Sequence, residues 1–192
     1  MSADLPPRPE PAQERPAGGP GAALLRLADR LDAVVEVAGR AASWLALAMV
    51  LLISFNVFRR YLFREGSVAL QELEWHLMVP LVLFGLSYAL LHREHVRVDF
   101  LFERFPKAVQ DAVDALSGVA TVVISIFVID FALDYVNQSF AMGEGSPDPG
   151  GLSHRFVLKA FIPLGFALLV VQGAAVAVRH AVYALRGRPR DG

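Results

Sequence analysis

Residues 71–99 read QELEWHLMVPLVLFGLSYALLHREHVRVD, and the placement of charge within them decides the fold. Between Glu74 and His92 lie seventeen residues, Trp75–Leu91, without a Lys, Arg, Asp or Glu. As a helix rising about 1.5 Å per residue, this run covers roughly 26 Å, close to the thickness of a bilayer's hydrocarbon core. It predicts a transmembrane helix with an acidic lead-in (Gln71, Glu72, Glu74) and a compact charged exit, His92-Arg-Glu-His-Val-Arg-Val-Asp99. A helix this apolar inside a soluble core would need several soluble-type amphipathic neighbours.

Outward from this stretch, three more spans are expected. Ala41–Phe58 is eighteen residues without a charge, bracketed by Arg40 and by Arg59-Arg60. Ala115–Ile129 is uncharged too, but a full crossing over about 113–133 carries Asp130 inside it. An acid there is either hydrated near the interface, beside Asp134 one turn on, or in contact with a partner or an ion path. Ala160–Val178 is the fourth span, with Pro163 in its first turn, where a missing N–H is harmless. Along it Gly165, Leu169, Gly173 and Ala177 form an i+4 row whose small members permit another helix to approach. Composition agrees: 55% of the 192 residues are hydrophobic and 19% charged, against about 25% charged in soluble domains.

The flanks differ in kind. Residues 1–21 are proline-rich and lack an apolar run, which predicts a disordered cytoplasmic tail rather than a signal peptide. From Ala22 to Arg40, Leu24, Leu27, Ala28, Leu31, Val34, Val35 and Ala38 recur at helical steps, with Arg26, Asp29, Arg30, Asp32 and Glu36 between them. That pattern is an amphipathic helix, suited equally to a membrane surface or a partner subunit. Residues 185–192 form a short basic cytoplasmic tail. The expected fold is therefore an all-α integral membrane protein, with a four-helix membrane domain over 41–184 preceded by an amphipathic helix.

Four spans put both termini on one side of the membrane, and the cations choose the side. The amino end, the 92–111 loop and the carboxyl end hold thirteen Lys and Arg residues, and the other two loops hold five. By the positive-inside rule both termini are expected in the cytoplasm. Net charge is −1, so no dense basic surface for nucleic acid exists, and the lack of cysteine excludes disulfides and thiolate chemistry.

The strongest polar constellation is His92, Glu94, His95, Arg97 and Asp99. If the helix continued, His92, His95 and Asp99 would share one side, a conceivable metal site, although no HExxH-type pair is present. The other reading is a polar cap that fixes the loop or meets a partner. A second feature is the line Glu72, His76, Ser87 and Glu94 near one face of the second span. Glu72 and Glu74 also complement the positive amino end of that helix. No phosphate-binding loop, nucleophile elbow or other catalytic set is found, and neither a metal nor a cofactor is expected in this chain.

The acidic lead-in ending Glu72-Leu-Glu74-Trp75, the Gly85-Leu-Ser-Tyr88 run and His95-Val-Arg-Val-Asp99 together resemble the small permease subunit of tripartite ATP-independent periplasmic (TRAP) transporters. The resemblance covers about residues 41–184. It implies a bacterial inner-membrane uptake system in which a periplasmic solute-binding protein delivers an organic anion to a large multi-span subunit. That large subunit would hold the substrate and coupling-ion sites, the ion being sodium. This chain would be its helper, with Glu72, Trp75, His95, Arg97 and Asp99 as structural or interface residues. Glu144 and Asp148, in the expected periplasmic loop, would offer an acidic docking surface to the binding protein. Two other classes stand beside this one: a stand-alone carrier or channel, and a metal-dependent membrane enzyme using His92, His95 and Asp99.

Overall fold

The computed structural model describes residues 20–92, 102 and 104–186. Over that range the chain forms four long helices: α1 (Pro20–Phe58), α2 (Val68–Leu91), α3 (Lys107–Ala141) and α4 (Phe156–Arg186). Each contains a window apolar enough and long enough to cross a membrane. In hydrocarbon a backbone N–H or C=O has no water to turn to, so these apolar stretches satisfy their backbone within the helix.

The helix ends follow local chemistry. Ser67 caps α2, its Oγ accepting the Leu70 N–H at 3.4 Å. α1 runs on through one π-helical turn, Arg59–Phe63, and stops at Arg64, whose φ of 54° breaks the helical path. α3 closes with Gly143 at φ 58°, where the N–H of Glu144 donates to the Ser139 carbonyl and that of Gly143 to Phe140, both at 3.1 Å. This is the Schellman arrangement, and only glycine takes that left-handed position without strain.

Three boundaries differ from the sequence expectation. The predicted amphipathic helix and first span are one unbroken helix of 39 residues, roughly 58 Å long, because nothing near Arg40 interrupts the helical pattern. Its apolar stripe is divided. Ala28, Val35 and Ala42 are buried against the chain's own helices, while Leu24, Leu27 and Val34 remain exposed. α3 extends beyond 113–133 at both ends. α4 begins at Phe156, so Pro163 lies inside the helix rather than in its first turn, and the Lys159 carbonyl loses its usual backbone donor.

Helix α4 is the centre of the bundle. It packs against α1, α2 and α3, whereas α3 has its main contact with α4 alone. The small-residue row on α4 serves two neighbours. A Cβ on Gly165 would meet Leu83 of α2 at 2.6 Å, and Gly173 and Ala177 lie backbone to backbone against Gly118 of α3. On α3 the buried residues are Asp111, Gly118, Ser125, Ala132 and Ser139, each seven positions from the last, together with Asp114 beside the first of them. That period keeps one seam of α3 on α4 along its full length. At the other side of the bundle, Gly39 of α1 lies under the Tyr88 ring of α2.

Candidate functional site: polar clamps at the two ends of the bundle

The buried charged groups, with most of the buried polar ones, gather at the two ends of the bundle. One end holds the 64–67 and 142–155 connections; here it is termed the loop end. The other holds the outer half of α1, the start of α3 and the end of α4, and is termed the terminal end.

At the loop end Glu72 is the organising residue. It occupies the second turn of α2, only 7% exposed, and its carboxylate accepts the Ser146 hydroxyl and the Leu152 N–H, the latter at 2.6 Å. The 142–155 connection is thereby tied down over α2. Gly151 is required for the approach, since a Cβ there would lie 2.9 Å from Glu72 Oε2 and 2.3 Å from the Ser146 hydroxyl oxygen. The Ser146 N–H donates to the Leu152 carbonyl at 2.9 Å, and the Asp148 N–H to Ser146 Oγ at 3.1 Å, so the turn is also closed on itself.

Glu144 is held by Lys159 of α4, whose Nζ also sits 3.8 Å from the centre of the Tyr135 ring of α3. The hydrogen bond from Lys159 holds the Glu144 carboxyl below the usual carboxylate range. Nearby, Asn56 of α1 donates to Glu74 of α2 at 3.0 Å, and Arg59 pairs with Glu65 at 2.8 Å. Of the two acids expected to form a docking surface, Glu144 is thus bound within the chain. Asp148 is exposed.

At the terminal end, Arg179 of α4 bridges two acids of α1, reaching Asp32 at 2.6 Å and Asp29 at 3.1 Å. Gln172, 2% exposed, donates to Asp32 at 3.2 Å. His180 and Asp111 are both nearly fully buried and 2.9 Å apart, with Asp114 at 3.7 Å from the same imidazole nitrogen. His92 lies 3.4 Å from Glu36 of α1 and packs on the Tyr88 ring, centre to centre 4.3 Å. Asp32, Leu90, Leu91, Gln172, Val176, Arg179 and His180 enclose a cavity of about 40 Å³, room for a water or two.

The sequence-predicted site residues therefore part company. Glu72 is a buried latch, joined to the 142–155 turn rather than serving only the helix dipole. Trp75 is 58% exposed on the outer side of α2. His95, Arg97 and Asp99 lie outside the described residues, as does Glu94. Of the alternative metal set only His92 lies within the described residues, and among those residues no group of three or more His, Cys, Asp or Glu side chains assembles to hold a metal. Asp29, Asp32, Asp111, Asp114, Gln172, Arg179 and His180 were not singled out by sequence. The signal available for Asp111 was the seven-residue line of small and polar residues on α3; Arg179 and His180 had none beyond standing at the end of a span.

Taken together these features define a multi-pass α-helical membrane protein pinned at both ends by its own side chains. Residues 49–182 match the family of tripartite ATP-independent periplasmic transporters, DctQ component. The chain belongs to that family, the small permease subunits of TRAP transporters, which are components of inner-membrane transport systems rather than enzymes. Among curated relatives it is similar to the ectoine TRAP transporter small permease protein TeaB of Halomonas elongata, 22% identical over 80% of this chain and 76% of that protein. It is also similar to a protein of Haemophilus influenzae named as a TRAP transporter small permease protein, 26% identical over 74% of this chain and 82% of the relative. No solved structure matches it.

Proposed function

We propose that this chain is the helper membrane subunit of a TRAP-type secondary transporter, supporting a large permease subunit in ion-coupled uptake of an organic anion delivered by a periplasmic binding protein. The observation that carries this reading is the distribution of buried polarity. Among the described residues the fully buried polar side chains between the two clamps are Ser87 and Ser125, which favours a packed interior over a path that would bind and pass an anion. Glu72 and Lys159 hold the 142–155 connection to α2 and α4, and Arg179 and His180 hold α4 to α1 and α3, which is the work of a scaffold. The substrate and sodium sites are assigned to the large subunit.

The excess of Lys and Arg in the termini and the 92–111 loop supports an orientation with both termini in the cytoplasm and the loop end in the periplasm. In that orientation the latched 142–155 turn faces the binding protein, and of the two expected docking acids Asp148 is the exposed one, available to steer it. His95, Arg97 and Asp99, which the charge distribution of the sequence assigns to the cytoplasmic side, are the candidate contacts with the large subunit.

The reading is tested by co-expressing the chain with the large membrane protein and the secreted binding protein encoded beside it. The large subunit is expected to co-purify with the tagged chain, and uptake in cells is expected to disappear when the chain is deleted. Full uptake in the deletion strain would refute it.

A further inference from the structure

Helix α3 differs from the other outward faces of the bundle in one respect. The uncharged runs 41–58 of α1 and 75–91 of α2 present only apolar and small neutral groups outward, as a lipid-facing surface would. On α3 the exposed side chains Phe127 (61%) and Phe131 (71%) flank Asp130, which is exposed as well and falls inside the expected span of about 113–133, one turn before the exposed Asp134 at its end. Asp130 has no hydrogen bond or ion pair among the described residues, and Lys159, the cation beside Tyr135 five positions along, is bound to Glu144. α3 is also the edge helix, covered by α4 along one seam and open around the rest.

A carboxylate facing hydrocarbon is costly, and such groups are ordinarily paired across a protein contact. We infer that the face of α3 around Asp130 is where the large permease subunit seats, through a helix that brings an Arg or Lys side chain to the same depth. The inference rests on the partnership proposed above and adds to it the face and the chemistry of contact. A second copy of this chain is the poorer occupant, because symmetric packing of two α3 helices about this position would oppose two Asp130 carboxylates, and like charges in a buried contact repel. The aromatic flanks fit a helix packed against them, with Asp130 as the polar contact that sets its register.

The test uses the full chain co-expressed with the large subunit from the same transport locus, carrying a photo-crosslinking residue at Phe127, Phe131, Leu51 or Val82 in turn. Adducts identified as the large subunit are expected from Phe127 and Phe131 at five times or more the yield from Leu51 on α1 or Val82 on α2. Equal or higher yield from Leu51 or Val82 would overturn the assignment of the face while leaving the partnership in place. Adducts of this chain with itself from Phe127 and Phe131 would overturn it in favour of self-association. No large-subunit adduct from any of the four positions, with both proteins in the membrane, would refute the partnership itself. In parallel, Asp130→Lys is expected to lower co-recovery of the large subunit at least tenfold and Asp130→Asn to lower it less, both inserting at the normal level. Unchanged co-recovery with Asp130→Lys would overturn the inference.

Discussion

Gly118→Ala adds one methyl group at the closest approach in the bundle. The new Cβ would lie 2.6 Å from the Ala177 nitrogen and 2.7 Å from the Gly173 carbonyl oxygen, both backbone atoms that no rotamer change can move. Ordinary contacts of carbon sit near 3.5 Å or beyond, so α3 and α4 must separate by about 1 Å over that part of the seam. A gap of that size forfeits a quarter to a half of each contact's attraction, and overpacking of this kind costs about 1–3 kcal/mol. The gain in helix propensity from replacing glycine offsets up to about 1 kcal/mol. Gly85→Ala provides the control, since nothing lies within 4 Å of its added Cβ and only the propensity gain remains. Unfolding titrations in mixed micelles should rank Gly85→Ala at or above the wild type and Gly118→Ala below both, with a gap of about 1–3 kcal/mol between the variants. Gly118→Ala as stable as Gly85→Ala would refute the close α3–α4 packing.

Other outcomes follow from the two clamps and the topology. Glu72→Ala should release the 142–155 turn, seen as faster amide exchange over those residues with the helical amides unchanged; Ser146→Ala should release it less, because the Leu152 N–H keeps its acceptor. Glu144 has a folded pKa depressed below its unfolded value of about 4.3, so its contribution is fully present above that value and is lost as pH falls through the folded pKa. Protection of the turn should therefore be flat from about pH 6 to 8 and fall only below about pH 4, and Glu144→Gln should reduce that acid loss to the part carried by the Glu72 carboxylate, which holds the same turn. Cysteines at Ser2, Gln110 and Gly192 should be shielded from an impermeant thiol reagent in intact cells while one at Asp148 reacts; the reverse pattern would invert the orientation. Asp99→Ala should lower recovery of the complex without lowering membrane insertion.

How much of this was legible beforehand divides along a physical line. The spans could be read because a bilayer sets one length, and Glu74 to His92 matches it. The close approach of α4 to its neighbours was legible in Gly165 and Gly173, although not that they face different helices. The join between the amphipathic segment and the first span was missed because a change in polarity is not a break in the helix, and no proline or paired glycine stands at Arg40. The seven-residue line Asp111 to Ser139 was present in the sequence and unread, hidden by the mixture of acids and small residues along it. The clamps were least legible. Asp32 meets Arg179 across 147 positions and Glu72 meets Leu152 across 80, and no local pattern encodes which end-of-span charges will face one another.

The scaffold reading is tested most directly by flux. Proteoliposomes holding this chain alone, the large subunit alone or both together would be given loaded binding protein outside and an imposed sodium gradient. Uptake is predicted only where both membrane subunits are present, and none from this chain alone. Solute accumulation by this chain alone, or undiminished uptake by the large subunit without it, would contradict the account.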